Sequence, residues 1–311
     1  MNEGNLPSRY LGRTALPVTT LGYGAMALDQ ERMAPRGLTI SDEQSGQVLN
    51  AVLDAGINFI DTSPDYGRSE ELIGRYIANR RNEYFLATKC GCIVKVAPER
   101  AGGGGHVYTP ENIRAAVDQS LSRMRTDYLD AVQFHGSPPE ADEAGAIATL
   151  LDLKKDGKVR FIGASSTLPR LSHLVDLGIF DVFQIPYSAL QREHETAISE
   201  AATAGAGTII RGGVARGAPS DDRDWAQRLP DSGNLPLEDV WEKAALDELL
   251  NGMSRMEFTL RFTLSHPDIH TTIVGTGKVA HLQENLEAAK KGPLPAQVYA
   301  EAKRRLDAAV A

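Results

Sequence analysis

Short apolar runs alternate with helical patterns along nearly the whole chain, and this alternation constrains the fold more than any other feature. Eight of the runs have the length and composition of strands: residues 18–24, 58–60, 84–88, 129–134, 159–163, 181–185, 207–210 and 271–274. Helical patterns occupy residues 41–55, 69–79, 109–124, 143–156, 168–177, 194–203, 237–250, 253–264, 279–289 and 295–310. Strands joined by helices are parallel, and continuous apolar runs are typical of strands buried on both faces. The pattern predicts an α/β fold, a (β/α)8 TIM barrel, with an open doubly wound sheet as the alternative.

The length of the chain fits one such barrel. The chain has 311 residues, whereas a barrel needs about 250, which leaves roughly 60 for extra loops and a tail. We therefore expect residues 1–311 to form a single domain. Long loops are predicted after the third strand (residues 91–108) and the seventh strand (residues 212–236), together with an extra C-terminal helix. Both loops leave the carboxyl end of the barrel, and long loops often cover a site.

Composition argues against several classes of function. The net charge is −8, whereas nucleic-acid binding needs a basic face. Cys90 and Cys92 are too few for a disulfide scaffold or for a four-ligand structural zinc site, so we interpret both as ordinary thiols. No apolar run reaches the roughly 18 residues of a membrane span, and residues 1–10 lack a signal-peptide core. We expect a cytoplasmic protein with no nucleic-acid or membrane partner; the sequence carries no signal for its oligomeric state.

Polar residues recur at the carboxyl ends of the predicted strands. In chain order these residues are Asp61, Lys89, His135, Ser165, Gln184 and Arg211, and Gly275 follows the last strand. The carboxyl ends of barrel strands converge on one rim, which is where the active sites of such barrels lie. The sequence therefore predicts that these distant residues share one pocket.

Three neighbouring strand ends carry the parts of a proton-transfer site. Asp61 and Lys89 lie on adjacent strands, which predicts a salt bridge, and Tyr66 follows Asp61 closely enough to turn back over the rim. A phenol has a pKa of about 10, and a nearby ammonium group favours the phenolate and lowers that pKa. His135 can align a carbonyl by hydrogen bonding. Such a site can protonate a carbonyl oxygen, and the hydride must then come from a cofactor.

The same residues resemble the signatures of the aldo-keto reductase superfamily. The segment NFIDTSPDYG at residues 58–67, with Glu70 and Gly74, is similar to the first signature, and ATK at 87–89 and DAVQFH at 130–135 are similar to the next two. GKVRFIG at residues 157–163 and IVGT at residues 273–276, with Glu284 and Asn285, continue the match. The resemblance runs from about residue 11 to residue 289.

The resemblance implies a role for each matched position. The implied catalytic residues are Asp61, Tyr66, Lys89 and His135, with Tyr66 as general acid. The implied cofactor-binding residues are Ser165, Ser166 and Gln184 at the nicotinamide carboxamide, Tyr187 stacked on the nicotinamide ring, Ser188, Leu190, Arg211 and Gly212 along the pyrophosphate, and Gly275, Thr276, Lys278, His281, Glu284 and Asn285 at the adenosine end. The expected cofactor is NADPH.

Two positions depart from the family pattern. Ser166 stands where the family usually has Asn, which weakens one carboxamide contact. His281 stands where NADP-specific members usually have Arg or Lys, and a mostly neutral imidazole is a poorer partner for the 2′-phosphate. Lys278, Lys290 or Lys291 can compensate, and NADH remains the alternative cofactor.

The predicted reaction is NADPH-dependent reduction of an aldehyde or ketone, including a sugar carbonyl, to an alcohol. The expected partner is thus a small-molecule carbonyl substrate, and its pocket is assigned to Met26, Cys90 and Trp225, with His106 and Tyr108 as further candidates. The alternatives are an NAD-dependent sugar or alcohol dehydrogenase, a Schiff-base lyase using Lys89, and a cofactor-binding subunit without turnover. No metal is expected, because one histidine and one aspartate on the rim make a poor ligand set.

Overall fold

A closed barrel of parallel strands forms the centre of the molecule. The computed structural model describes residues 6–34, 37, 39–94, 105–217, 219 and 236–310. Its strands are β1 (Ser8–Tyr10), β2 (Pro17–Thr19), β3 (Leu21–Gly24), β4 (Phe59–Asp61), β5 (Phe85–Cys90), β6 (Leu129–His135), β7 (Val159–Ser165), β8 (Val182–Pro186), β9 (Gly207–Arg211) and β10 (Thr271–Val274). Strands β3 to β10 pair in sequence order, and β10 closes the circle on β3. The predicted TIM barrel is confirmed, and the open sheet is wrong.

Helices surround the barrel and cover its outer face. They are α1 (Gln30–Met33), α2 (Asp42–Asp54), α3 (Ser69–Tyr76), α4 (Pro110–Met124), α5 (Glu140–Lys155), α6 (Arg170–Asp176), α7 (Glu195–Thr203), α8 (Leu237–Lys243), α9 (Arg255–Leu264), α10 (Val279–Lys290) and the extra C-terminal helix α11 (Ala296–Val310). Ser41 caps α2 in a reciprocal arrangement with Gln44, and Thr109 caps α4 ahead of Pro110. Within the described residues, no helix combines the length and hydropathy that a membrane span requires.

Two predicted elements are divided in the structure. The run at residues 18–24 contributes to both β2 and β3, and β2 pairs with β1 in an antiparallel hairpin outside the barrel. The pattern at residues 237–250 is α8 followed by a short 3₁₀ turn at Leu246–Leu249, because Ala245 adopts a left-handed conformation with φ of 47° and ends the helix.

The N-terminal hairpin closes the amino end of the barrel. Leu11, Leu16 and Val18 are buried in one cluster with barrel residues of several strands. The barrel residues in that cluster are Phe59, Ala87, Ala131, Val182 and Ile209. Four of them lie two residues before the polar residues Asp61, Lys89, Gln133 and Gln184, and side chains two apart on a strand share a face. The interior therefore has an apolar floor with a polar layer above it, towards the carboxyl rim.

The two longest connections leave this carboxyl rim, as predicted. Residues 91–109 join β5 to α4, and residues 212–236 join β9 to α8. Trp225, assigned to the substrate pocket from the sequence, lies outside the described residues.

Candidate active site

The polar layer inside the barrel is organised around Asp61. Lys89 Nζ donates to Asp61 Oδ2 at 2.7 Å, and Gln184 and Gln133 donate to Oδ1 at 2.8 and 3.1 Å. Lys89 Nζ also donates to the Thr62 carbonyl at 2.9 Å. We call Asp61, Lys89, Gln133 and Gln184 the inner cluster; all four side chains are buried. The predicted salt bridge is confirmed, and its hydrogen bonds offset the cost of burying both charges.

The inner cluster keeps Lys89 charged. Burial lowers the pKa of Lys89, but the Asp61 carboxylate, Tyr66 and Cys92 raise it, and the net shift is upward from the ordinary value of 10.5. Lys89 is therefore an ammonium at neutral pH, held at a fixed position.

Tyr66 lies directly above this ammonium group. Lys89 Nζ is 5.2 Å from the centroid of the Tyr66 ring. The turn after β4 holds the ring there: the Tyr66 amide donates to the Ser63 carbonyl at 3.1 Å, and Ser69 donates to the Tyr66 carbonyl at 2.9 Å. Gly67 has φ of 50°, and a Cβ there would lie 2.8 Å from Asp29 Oδ1, so the turn needs glycine. Tyr66 is mostly buried but lines the cavity above the barrel.

His135, at the end of β6, is neutral in this setting. Burial and the charge of Lys89 lower the pKa of His135 to about 3. Its ring lies edge-on to Tyr66 with centroids 5.8 Å apart, and the Tyr108 hydroxyl donates to its carbonyl at 2.6 Å. A neutral imidazole carries one N–H donor, so His135 can orient an acceptor placed beside Tyr66.

A cavity of about 1590 Å³ opens above the carboxyl rim. It brings together most of the site residues predicted from the sequence. Those that line it are Met26, Asp61, Tyr66, His135, Ser165, Ser166, Gln184, Arg211, Gly212, Gly275, Thr276, Lys278, His281, Glu284 and Asn285, with His106 and Tyr108. Lys89 lies beneath them in the inner cluster. The volume exceeds the roughly 300–1,000 Å³ of ordinary small-molecule pockets.

The residues along the cavity fit an elongated, anionic dinucleotide. At one end Ser165 donates to Gln184 at 2.9 Å, which presents a hydroxyl and an amide suited to a carboxamide. At the other end α10 begins behind Lys278, whose side chain makes no capping hydrogen bond within the described structure, and a helix N-terminus favours anions. A Cβ on Gly275 would lie 2.6 Å from the Gly24 carbonyl oxygen, so only glycine lets the two backbone segments approach this closely. Arg211 and Arg216 add positive charge to the wall of the same cavity.

Four residues that were assigned to the site from the sequence do not line the cavity in the described part of the chain. Cys90 is fully buried in the outer core, because it follows the inward-facing Lys89 and strand side chains alternate. Tyr187 is likewise on the outer side: Gln184 faces inward, and the Tyr187 ring stacks on Phe262 at 6.3 Å rather than on a ligand. The placements of Cys90 in the substrate pocket and of Tyr187 on the nicotinamide are therefore corrected.

Ser188 and Leu190 are the other two excluded residues, and they form a turn. The Leu190 amide donates to Ser188 Oγ at 3.3 Å, and both side chains are buried. Their assignment to the pyrophosphate path is corrected, since the turn uses the Ser188 hydroxyl internally.

Sequence reasoning missed Gln133 as a member of the inner cluster. The signal was present, because Gln133 precedes His135 by two residues and so shares its inward face. It also missed Arg216 on the wall, which lies in a 3₁₀ turn (Ala215–Gly217) after β9 that no periodicity marks.

Comparisons with known proteins agree with this geometry. The sequence model of the Aldo/keto reductase family matches residues 20–306. An aldo-keto reductase from Bacillus halodurans, solved in its holo form, superposes with a TM-score of 0.83 at 27% identity, covering 97% of this chain and 96% of that one.

Two curated relatives carry cofactor names. "Aldo-keto reductase yakc [NADP(+)]" of Schizosaccharomyces pombe is 29% identical over 310 residues, 92% of this chain and 87% of the relative. "NADH-specific methylglyoxal reductase" of Escherichia coli is 32% identical over 205 residues, 60% of each chain.

Proposed function

The chain belongs to the aldo/keto reductase family, and from that premise we propose that it reduces an aldehyde or ketone to an alcohol with NADPH, using Tyr66 as the proton donor. Family membership makes it an NAD(P)-dependent oxidoreductase that acts on carbonyl or alcohol groups. The cofactor preference, the direction and the roles of individual residues are the proposal.

One observation carries the assignment of Tyr66. A buried ammonium, fixed by Asp61, lies 5.2 Å from the centre of a phenol ring that lines the cavity. When the phenol gives up its proton, the negative charge that develops is stabilised by Lys89 in a low-dielectric setting. A bound reduced nicotinamide supplies the hydride that reaches the carbonyl carbon. Tyr66 Oη then donates the proton to the carbonyl oxygen, and the neutral His135 orients that oxygen.

We propose NADPH as the preferred cofactor because the cavity wall carries positively charged side chains that can bind its additional phosphate. Arg211, Arg216 and Lys278 line the cavity, and Lys278 lies at the start of α10. His281 on the first turn of the same helix favours the alternative, NADH, because it stands where NADP-specific members of the family usually have Arg or Lys. The curated relatives include names with either cofactor, so we propose a preference for NADPH of modest size.

The geometry of the site is compatible with a dehydrogenase but disfavours a Schiff-base lyase. A dehydrogenase would use the same residues in reverse, with Tyr66 accepting the proton, and His281 keeps its NAD-dependent form open. A Schiff-base lyase is disfavoured: the Lys89 side chain is fully buried, its Nζ is committed to Asp61 and Thr62, and its pKa is raised. A nucleophilic lysine needs a lowered pKa and access to the carbonyl.

The test is cofactor binding followed by turnover. Fluorescence titration with NADPH and NADH measures the two dissociation constants, and a panel of aldehydes and ketones measures nucleotide oxidation. Tyr66→Phe is expected to lower kcat by roughly 10²–10⁴ while the NADPH dissociation constant stays within about twofold. The matched control is Tyr187→Phe, which removes a hydroxyl outside the cavity and should keep kcat. A loss below tenfold for Tyr66→Phe would reject Tyr66 as the donor.

A further inference from the structure

Four side chains that can ligate a metal meet beside Tyr66, on the segments that follow β4 and β5 and at the end of β6. Asp65, Cys92, His106 and His135 each offer one ligand atom, and these four atoms all lie within 4.8 Å of one another. His135 Nδ1 is 3.1 Å from Cys92 Sγ and 3.5 Å from Asp65 Oδ1. We call these four residues the outer cluster. We propose that the outer cluster is a binding site for Zn²⁺ and that the bound ion inhibits the enzyme.

The backbone holds two of the ligands face to face. Cys92 and His106 are opposite partners in an antiparallel β-bridge, although the long connection between β5 and α4 separates them in sequence. The Val107 amide donates to the Gly91 carbonyl at 2.7 Å, and Asn112 Nδ2 donates to the carbonyls of Cys92 and Val107 at 3.0 and 2.7 Å. These contacts fix the spacing of the two segments without using any ligand atom, and Cys92 Sγ itself lies 3.1 Å from His135 Nδ1 and 3.4 Å from Ser63 Oγ.

The chemistry of the ligands selects the metal. One thiol, two imidazoles and one carboxylate are the donor types that Zn²⁺ takes in proteins, whereas Mg²⁺ and Ca²⁺ prefer oxygen. Tetrahedral zinc, with bonds of about 2.0–2.3 Å, places its ligand atoms roughly 3.3–3.6 Å apart. The two distances from His135 Nδ1 already approach this spacing, and the exposed His106 side chain has room to close the remainder.

Charge and protons balance in this site. Coordination replaces the Cys92 thiol proton, which leaves to solvent, and the resulting thiolate and the Asp65 carboxylate together neutralise the two positive charges of the ion. Neither step needs an oxidant or a further reactant.

The consequence for turnover rests on the proposed function. In that function His135 orients the carbonyl beside Tyr66, and the two rings are 5.8 Å apart. An ion held at His135 Nδ1 fixes that imidazole and draws the neighbouring His106 side chain towards the ion, and both histidines line the cavity beside Tyr66. Zn²⁺ is therefore expected to weaken binding of the carbonyl substrate and leave NADPH binding intact.

Metal binding is measured first, without reference to activity. The chelator-treated 311-residue chain is titrated with Co²⁺, which reports thiolate ligation through a near-ultraviolet charge-transfer band. We expect one equivalent of Co²⁺ to bind with this band and one equivalent of Zn²⁺ to displace it. Cys92→Ala should abolish the band, and His106→Ala should weaken binding by at least roughly tenfold. Absence of the band in the native protein, or its persistence in Cys92→Ala, would overturn the site.

Matched controls separate ligation from general damage. Cys90→Ala removes the neighbouring thiol, which lies in the outer core, and His173→Ala removes an exposed histidine paired with Glu143. Both should bind Co²⁺ like the native chain. Cys92→Ser provides a second variant that keeps a small polar group if Cys92→Ala does not fold, and it too should lack the band.

Inhibition is measured second, each variant against its own metal-free rate. Zn²⁺ should raise the apparent KM for the carbonyl, a chelator should reverse the effect, and Cys92→Ala should need at least roughly tenfold more Zn²⁺. Binding of Zn²⁺ with unchanged turnover would overturn the inhibitory role. Should the chain reduce no carbonyl at all, the proposed function fails, while the cobalt titration still decides the metal site.

Discussion

The inner and outer clusters both have a member close to the Tyr66 ring, Lys89 and His135 respectively, and the two clusters are built differently. In the inner cluster three donors converge on one carboxylate at 2.7–3.1 Å, and every side chain is buried. In the outer cluster the contacts of His135 are 3.1–3.5 Å, and His106 is exposed. A short, fully buried network fixes a charge in one position, whereas a looser group of donors with one exposed member can rearrange around a ligand. Under the proposed function, the rigid inner cluster sets the acidity of Tyr66, and the looser outer cluster borders the space that receives the carbonyl.

The largest effect is expected from removing the fixed charge. Lys89→Met should lower kcat by roughly 10²–10⁴, because Tyr66 loses the ammonium that stabilises its phenolate. It also leaves Asp61 as a buried carboxylate without its counter-ion, which should lower the free energy of unfolding by about 3–5 kcal/mol. Single-turnover kinetics with NADPH and urea unfolding measure the two effects.

A double variant tells the two consequences of Lys89→Met apart. Asp61→Asn combined with Lys89→Met removes both charges, so most of the lost stability should return while kcat stays low. If kcat returned together with stability, Lys89 would act only by holding the fold, and the contrast between the two clusters would collapse.

A smaller effect is expected at Gln133, the member of the inner cluster that sequence reasoning missed. Gln133→Leu removes a 3.1 Å hydrogen bond to Asp61, but Gln133 Oε1 has no partner among the described residues, so the change also removes an unsatisfied acceptor. We expect a destabilisation of about 1 kcal/mol, below the roughly 1.5–3 kcal/mol of a hydrogen bond to a charged group. Turnover should fall less than tenfold because Lys89 and Gln184 still hold Asp61. A hundredfold loss would show that Gln133 positions the charge itself.

The low pKa of His135 predicts that this residue causes no acidic loss of activity in the ordinary pH range. An ordinary histidine gains its proton as the pH falls through about 6.5, but burial and Lys89 lower the pKa of His135 to about 3. His135 therefore stays neutral throughout the range from pH 8 to pH 5, and protonation of His135 should not reduce kcat/KM there. Initial rates in chelator-containing buffers check this. An acidic limb near pH 6.5 that disappears in His135→Gln would contradict it.

The alternation of side chains along a strand explains how much of the site could be predicted from the sequence. Asp61, Lys89, His135 and Gln184 were placed correctly because barrel strands end on one rim and alternate residues share a face. Cys90 and Tyr187 were assigned to the inner face of the barrel, but each is displaced by an odd number of residues from an inward-facing neighbour and so lies on the outer face. The outer cluster could not be found this way, since Cys92 and His106 meet through a β-bridge across a long connection that no hydrophobic period encodes. The N-terminal hairpin was missed because β2 and β3 read as one apolar run.

The smallest effect on function is expected at Tyr187. The family resemblance implies that its ring stacks on the nicotinamide, whereas the alternation of side chains places the ring on the outer side of the barrel. If the ring stacked on the nicotinamide, Tyr187→Leu would weaken NADPH binding markedly. The ring is instead stacked on Phe262 and lies edge-on to His266, 5.4 Å between centroids, on the outer side of the barrel. We therefore expect the NADPH dissociation constant to stay within about twofold, although removal of a buried aromatic ring should destabilise the fold by roughly 1–3 kcal/mol. Arg211→Leu, on the cavity wall, is the positive control and should weaken NADPH binding. A folded Tyr187→Leu protein that binds NADPH tenfold more weakly would return Tyr187 to the cofactor site. Such a loss requires the Tyr187 ring to contact the bound nucleotide.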